Sequence, residues 1–246
     1  MNFGEKLDKI IEKNNSLVCV GLDQGEFEVN KKIIDQTGDL VCAFKPNFAF
    51  YEALGVKGWE SLKKTVEYIN FKFPNVATIA DAKRADIGNT NLGYVTSIFD
   101  DLGFDSVTVN PYFGREAVQP FLERVDKGII VLCKTSNSGS GEFQDGLWQK
   151  VAENISNNWN ENNNCLLVAG ATYPKELAEI RKIAGEMTLL VPGIGAQGGE
   201  VEKVVKAGLN KAKKGMIISS SRGICKASDP RRATIELRDQ INKFRV

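Results

Sequence analysis

The chain has 246 residues, and 32 Lys and Arg stand against 31 Asp and Glu, so its formal net charge is +1. This balance gives no electrostatic reason to expect nucleic acid or an anionic membrane as a partner, and no apolar run approaches the roughly 20 residues of a membrane-spanning helix. Histidine is absent, which excludes catalytic triads with an imidazole base and His-ligated zinc.

Short apolar stretches alternate with longer amphipathic segments along the whole chain. The apolar stretches predict eight strands at residues 17–22, 40–45, 76–81, 106–110, 128–134, 165–169, 188–191 and 215–219. The amphipathic segments predict helices at residues 29–37, 49–70, 90–102, 115–125, 147–160, 174–184, 199–207 and 230–243.

This alternation predicts an α/β fold with a parallel sheet. Eight units spaced by ~30 residues predict a closed (β/α)8 TIM barrel, as a single domain over residues 1–246. An open doubly wound sheet is the alternative. The turn at residues 21–25 lacks the GxGxxG signature that such a sheet uses for phosphate, which favours the barrel.

The cysteines and the N-terminus indicate the compartment. Five cysteines are scattered along the chain, with no pair at metal-ligand spacing. We interpret them as small buried hydrophobic residues in a reducing cytosol. The first residues show no basic stretch followed by an apolar one, so we expect no signal peptide and a cytoplasmic protein.

The most informative segment follows the third predicted strand and reads Asp81-Ala82-Lys83-Arg84-Ala85-Asp86-Ile87-Gly88-Asn89-Thr90. Side chains two apart on a strand point to the same side, so we expect Asp81 and Lys83 to project together, with Asp86 in the loop. Lys45, at the end of the second strand, would lose its charge if it were buried without a partner. A Lys-Asp-Lys-Asp array keeps all four groups ionised and forms a preorganised electrostatic site. The alternative is a surface ion-pair network.

Other polar residues follow other strands, and in a (β/α)8 barrel the C-terminal strand ends share the face that carries the chemistry. The glycine-rich segment 191–199 offers backbone N–H groups before a helix, and Arg222 lies among small residues. Both features suit an oxyanion, and the loops after strands seven and eight commonly bind phosphate. Tight turns and a surface charge are the alternative explanations.

The segment 135–143 is small, polar and rich in Gly and Ser. It is either a flexible connection or a lid over the catalytic face.

Taken together, these motifs resemble the orotidine 5′-monophosphate decarboxylase family over essentially the whole chain. The resemblance rests on the segment 81–90, on Phe44-Lys45-Pro46-Asn47, on the segment 192–197 and on Ser221-Arg222-Gly223, all in family order. It implies decarboxylation of orotidine 5′-monophosphate (OMP) to UMP, the last step of de novo pyrimidine synthesis, with no metal and no organic cofactor.

The resemblance also implies which residues act. The catalytic residues would be Lys45, Asp81, Lys83 and Asp86. Lys83 would stabilise the carbanion at the pyrimidine C6 and donate the proton, which suits a site without histidine.

The resemblance implies further contacts with the substrate. Asp23, Lys45 and Asn47 would bind the ribose side, Thr135 and Ser136 the pyrimidine, and Pro192 would flank the base, whereas Gln197, Ser221 and Arg222 would hold the phosphate. Ser221 departs from the glycine that is common at its position, but a backbone contact would survive this change. Asp86, Ile87 and Thr90 would reach the site of a second subunit, which predicts a homodimer.

Two other functions stay open at this point. Related Mg²⁺-dependent barrels, such as hexulose-phosphate synthase or ketogulonate-phosphate decarboxylase, share an Asp-x-Lys-x-x-Asp pattern. They would have an acidic residue near strand two, where this chain has Lys45. The other possibility is a barrel that binds a phosphate ligand without catalysis.

Overall fold

A computed structural model of the chain describes residues 1–194 and 198–245. In it, parallel strands close into a barrel in which consecutive strands pair and β8 pairs with β1. The strands are β1 (Val18–Leu22), β2 (Ala43–Pro46), β3 (Ala77–Arg84), β4 (Ser106–Val109), β5 (Gly128–Lys134), β6 (Cys165–Ala169), β7 (Leu189–Pro192) and β8 (Met216–Ser220). The predicted TIM barrel is confirmed.

Helices connect successive strands. They are α1 (Phe3–Asn14), α2 (Phe27–Thr37), α3 (Phe48–Glu52), α4 (Val56–Lys72), α5 (Gly88–Val95), α6 (Gly114–Leu122), α7 (Gly141–Gln144), α8 (Trp148–Asn154), α9 (Pro174–Ala184), α10 (Gly198–Gly208), α11 (Arg222–Cys225) and α12 (Pro230–Asn242). Two π-helical turns, Thr96–Asp101 and Ile155–Trp159, extend α5 and α8. Among the described residues no helix combines the length and apolarity that crossing a membrane requires.

The barrel strands are buried on both faces. Every residue of β1, β2, β4, β6 and β8 is buried. Helices cover the outside of such a barrel and side chains fill its interior, so its strands consist of nearly continuous apolar residues. This explains why the strands are recognisable as unbroken apolar stretches, and why the polar residues at their C-terminal ends stand out.

Helix α1, which the sequence analysis did not predict, lies at the N-terminal end of the barrel. Phe3 packs against Gly128 at the start of β5, where a Cβ atom would meet the phenyl ring at 2.5 Å. Lys6 forms an ion pair of 2.8 Å with Asp105, just before β4. The helix therefore belongs to the end of the barrel opposite the predicted catalytic face.

The helix predicted at residues 49–70 is two helices, α3 and α4. The chain breaks at Gly55, whose φ of 60° is unfavourable for residues with a side chain. The break lets Gly58 approach the carbonyl oxygen of Tyr51 so closely that a Cβ atom would lie 1.8 Å from that oxygen. The short helix α3 thus folds over the end of β2 and places Asn47 beside β3.

Strand β3 contains a bulge near its C-terminal end. Ala80 pairs with Val107 and Arg84 with Val109, so four residue steps on β3 match two on β4. Extra residues in one strand bend it and redirect its side chains. Within the bulge Lys83 adopts a left-handed conformation with φ 48°. The strand therefore continues to residue 84, beyond its predicted end at residue 81.

Candidate active site

Three charged side chains from β2 and β3 form a continuous chain of ion pairs at the C-terminal end of the barrel. Lys45 Nζ lies 2.6 Å from Asp81 Oδ2, and Lys83 Nζ lies 2.5 Å from Asp81 Oδ1. Each carboxylate oxygen of Asp81 therefore accepts a hydrogen bond from a different ammonium group. Lys45 is only 5 % exposed, whereas the Lys83 side chain is 47 % exposed and reaches the open end of the barrel.

The electrostatics of these ion pairs keep the buried Lys45 and Asp81 charged. Burial by itself raises the pKa of Asp81, but the Lys45 and Lys83 ammonium groups outweigh it and lower that pKa to about 2. Burial by itself lowers the pKa of Lys45, but the Asp81 carboxylate reverses this, and the pKa lies above its usual value. Two positive charges thus flank one negative charge, and the Lys45–Asp81 pair is buried.

The β3 bulge also sets the positions of Asp81 and Lys83. Regular alternation along the strand would place the two side chains on one side, as predicted from the sequence. The left-handed backbone of Lys83 also sets the direction of its side chain. The Lys83 N–H group donates a hydrogen bond of 2.9 Å to the Thr108 hydroxyl of β4. The sequence analysis did not include Thr108. The sequence does carry a signal for it, because Thr108 is a single hydroxyl residue between two valines, Val107 and Val109, near the end of the fourth strand.

A cavity of about 700 Å³ opens at this end of the barrel, between β1, β2, β7 and β8. Five residues predicted from the sequence line it, namely Asp23, Lys45, Pro192, Ser221 and Arg222. Ser219 and Ser220 at the end of β8 also line it, together with Gln24, Phe50 and Lys226, which the sequence analysis missed. Asp23 Oδ1 is buried there and accepts no hydrogen bond from any described protein group. The cavity thus combines cationic groups with an acceptor that a hydroxyl donor would satisfy.

At the β8 end of the cavity, β1 closely approaches the loop that follows β8. A Cβ atom on Gly21 would lie 1.9 Å from Ser221 Oγ, so only glycine leaves room for Ser221 at this point. Ser221 precedes α11, and the exposed Arg222 begins that helix. Gln197, predicted to bind phosphate, lies outside the described residues.

The segment that follows β5 is anchored by hydrogen bonds. The buried Lys134 Nζ lies 2.7 Å from Asp145 Oδ1 and 4.8 Å from the centre of the Tyr173 ring. The backbone N–H of Thr135 donates to the Gln144 side chain at 2.9 Å. The Thr172 hydroxyl donates to the Ser136 carbonyl oxygen at 3.2 Å, which ties this segment to the loop after β6. Thr135 and Ser136 are half-buried on this anchored segment.

Asn47 joins the site, whereas Asp86, Ile87 and Thr90 do not. Asn47 caps α3 and forms a backbone bridge with Asp81. The Asp86 carboxylate accepts from the Ile87 N–H at 2.7 Å, and among the described residues it makes no ion pair with either lysine. Ile87 and Thr90 are exposed at the start of α5. One chain therefore assembles three of the four predicted charged residues.

This geometry suits stabilisation of a negative charge followed by proton transfer. The Lys83 side chain is held at the open end of the barrel by its ion pair with the Asp81 carboxylate, which stays ionised. An ammonium group in such a fixed position can stabilise an anion as it forms and then protonate it.

Comparisons with known proteins agree with these features. Residues 16–237 match the profile of the orotidine 5′-phosphate decarboxylase / HUMPS family. The chain is 49% identical over 245 residues to the orotidine 5′-phosphate decarboxylase of Christiangramia forsetii, covering 92% of this chain and 89% of that protein. It is 43% identical over 275 residues to that of Cellvibrio japonicus, with full coverage of both.

A solved structure is similar along the whole chain as well. The OMP decarboxylase of Leishmania donovani superposes with a TM-score of 0.93 at 39% identity, covering 100% of this chain and 99% of that one. These matches confirm the resemblance inferred from the motifs. The chain belongs to the orotidine 5′-phosphate decarboxylase / HUMPS family.

Proposed function

We propose that this chain decarboxylates OMP to UMP with no metal and no organic cofactor. The observation that carries the proposal is the Asp81 carboxylate held between the ammonium groups of Lys45 and Lys83 at the open end of the barrel. The names of relatives at 43% and 49% identity support the same substrate. The reaction is the last step of de novo pyrimidine synthesis.

The proposed chemistry uses the charged residues directly. The substrate carboxylate lies beside Asp81, and the bond between it and C6 breaks, so CO2 leaves and the electron pair stays on C6. The Lys83 ammonium stabilises this pair and donates a proton to C6, after which Lys83 takes a proton from water. Lys45 keeps Asp81 ionised throughout.

Groups far from C6 supply binding energy for the transition state. Asp23, with its buried unpartnered oxygen, and Asn47 bind the ribose hydroxyls with Lys45. Pro192 flanks the base, and Thr135 and Ser136 contact the pyrimidine from the anchored segment after β5. The phosphate is held by Ser221, Arg222 and Gln197.

We propose that the active form is a homodimer in which Asp86, Ile87 and Thr90 complete the partner's site. Exposed apolar side chains support this, since Ile87 and Leu92, just after Asp86, are 62 % and 52 % exposed, and Tyr112 and Phe113 after β4 are exposed as well. Clustered apolar exposure of this kind marks interaction surfaces. We propose a single cytoplasmic domain that has no nucleic-acid or membrane partner.

A Mg²⁺-dependent sugar-phosphate enzyme is the second candidate, because the family includes such barrels. Such an enzyme would use acidic side chains as metal ligands, whereas both carboxylate oxygens of Asp81 accept hydrogen bonds from ammonium groups. Lys45 occupies the position where a further acidic ligand would stand. Both observations favour the decarboxylase.

The test is to follow the loss of OMP absorbance with and without EDTA. We expect conversion to UMP and CO2 at equal rates in both conditions. Turnover of a hexulose phosphate that EDTA abolishes, with OMP unchanged, would favour the metal-dependent enzyme. Binding of UMP without any turnover of OMP would indicate a ligand-binding barrel.

A further inference from the structure

The β3 bulge leaves the backbone of Lys83 in a conformation that needs support. Between Ala80 and Arg84 the strand leaves the regular ladder with β4. Lys83 has a φ of 48°, in the left-handed region that residues with a side chain seldom occupy. Such conformations persist where surrounding contacts hold them, and they concentrate at functional sites.

Thr108 on β4 supplies this support. Its hydroxyl oxygen accepts the Lys83 N–H hydrogen bond at 2.9 Å, which replaces the ladder partner that the bulge removes. The same oxygen lies 3.3 Å from Asp81 Oδ1 and 3.4 Å from the Ala80 carbonyl oxygen, so its proton has an acceptor at either position. One buried hydroxyl therefore contacts both catalytic residues of β3.

Packing does not explain the hydroxyl. Thr108 is 1 % exposed, and its neighbours Val107 and Val109 are fully buried. Valine has nearly the shape of threonine and favours strands equally, so it would fill the same space. A hydroxyl buried here is retained for its hydrogen bonds, because an unpaired buried polar group destabilises the folded state.

We propose that Thr108 is a positioning residue for the reaction: its hydroxyl holds the Lys83 backbone so that the ammonium group lies against Asp81 and faces C6 of the substrate. The inference rests on the proposed function. Thr108 need not touch the substrate, and its effect on the chemistry passes through the position of Lys83.

The experiment compares Thr108→Val, which removes the hydroxyl and keeps the shape, with Thr108→Ser, which keeps the hydroxyl. We expect kcat for OMP to fall roughly 10- to 100-fold in the valine variant, as small misplacements of reacting groups do. The KM for OMP and the affinity for UMP should change by less than about twofold, because the binding groups stay in place. The serine variant should keep kcat within about threefold of wild type.

Thr78→Val is the matched control. Thr78 is also a buried threonine; it lies at the N-terminal end of β3, and its hydroxyl bonds Asp105, away from the site. This variant should lose stability and keep kcat, so a loss in Thr108→Val cannot come from destabilisation alone.

The outcomes separate the two proposals. A wild-type protein that leaves OMP unchanged overturns the proposed function. An active wild type whose valine variant keeps kcat within about twofold, or whose serine variant loses as much as the valine variant, overturns the role of Thr108 alone. If the valine variant does not fold, Thr108→Ala is compared with Thr108→Ser by the same criteria.

Discussion

At the scale of single residues, the charges of the site depend on one another. Lys45 is buried, and an ion buried without a partner destabilises a protein by several kcal/mol. The Asp81 carboxylate removes this penalty by bonding Lys45 and Lys83 with separate oxygens. The arrangement therefore keeps Lys45 and Asp81 charged and holds the Lys83 side chain in place before any substrate binds.

Replacing Lys83 by alanine should abolish decarboxylation and leave UMP binding largely intact. In the proposed reaction the ammonium group acts on the carbanion, whereas Asp23 and Arg222, the proposed ribose and phosphate ligands, line the cavity between β1 and β8. Turnover of OMP and calorimetric titration with UMP measure the two effects. Near-normal turnover in this variant would contradict the role of Lys83 as proton donor.

The Asp81 pKa predicts a pH dependence of stability. Its folded value of about 2 lies below the ordinary value of 3.8, so ionised Asp81 stabilises the folded state above pH ~4. As the pH falls from ~4 towards 2, about 2 kcal/mol of this stabilisation is lost, because each unit of pKa difference corresponds to 1.36 kcal/mol. Urea unfolding between pH 5 and 2.5 measures the free energy of unfolding of wild type and Asp81→Asn. The difference between the two should shrink as the pH falls. A difference that is independent of pH would show that the pKa of Asp81 is not lowered.

At the scale of elements, the segment after β5 is held by a buried charge. The Lys134 side chain is 2 % exposed, and it bonds Asp145 and faces the Tyr173 ring. Hydrogen bonds of Thr135 and Ser136 fix the segment further. These contacts explain how a segment rich in Gly and Ser presents its side chains in defined positions.

Lys134→Met should weaken substrate binding, because it removes the ammonium and keeps the apolar stem. We expect the KM for OMP to rise about tenfold, from the loss of a charged hydrogen bond. Lys206→Met is the control, since Lys206 is an exposed lysine paired with Glu202 on α10. Steady-state kinetics of the two variants decide, and equal KM values would contradict the anchoring role.

At the scale of the whole molecule, one chain does not assemble all the predicted catalytic groups. Asp86 lies at the start of α5, without an ion pair to Lys45 or Lys83 in the described structure. Ile87 and Leu92, which follow it along the chain, are exposed apolar side chains. A second copy of the chain, placed over this surface, would bring its own Asp86 to the site.

Mixing inactive Lys83→Ala and Asp86→Asn proteins should therefore restore activity. In each heterodimer one site combines an intact Lys83 with an intact Asp86, so random exchange in a two-fold dimer should recover about a quarter of wild-type activity. Turnover of OMP after mixing, with subunit exchange followed by mass spectrometry, measures this. Exchange without recovered activity would show that Asp86 acts within its own chain.

The sequence by itself determined the barrel and the face where its polar strand ends meet, and it predicted five of the residues that line the cavity there. Unbroken apolar strands require burial on both faces, and their polar ends then share one side of the barrel. Only the tertiary structure decided the split between α3 and α4, the bulge in β3, the Lys134–Asp145 pair and the contact of Thr108 with Lys83. Each of these depends on which atoms of distant segments approach within hydrogen-bond distance, and periodicity along one strand carries no information about that approach.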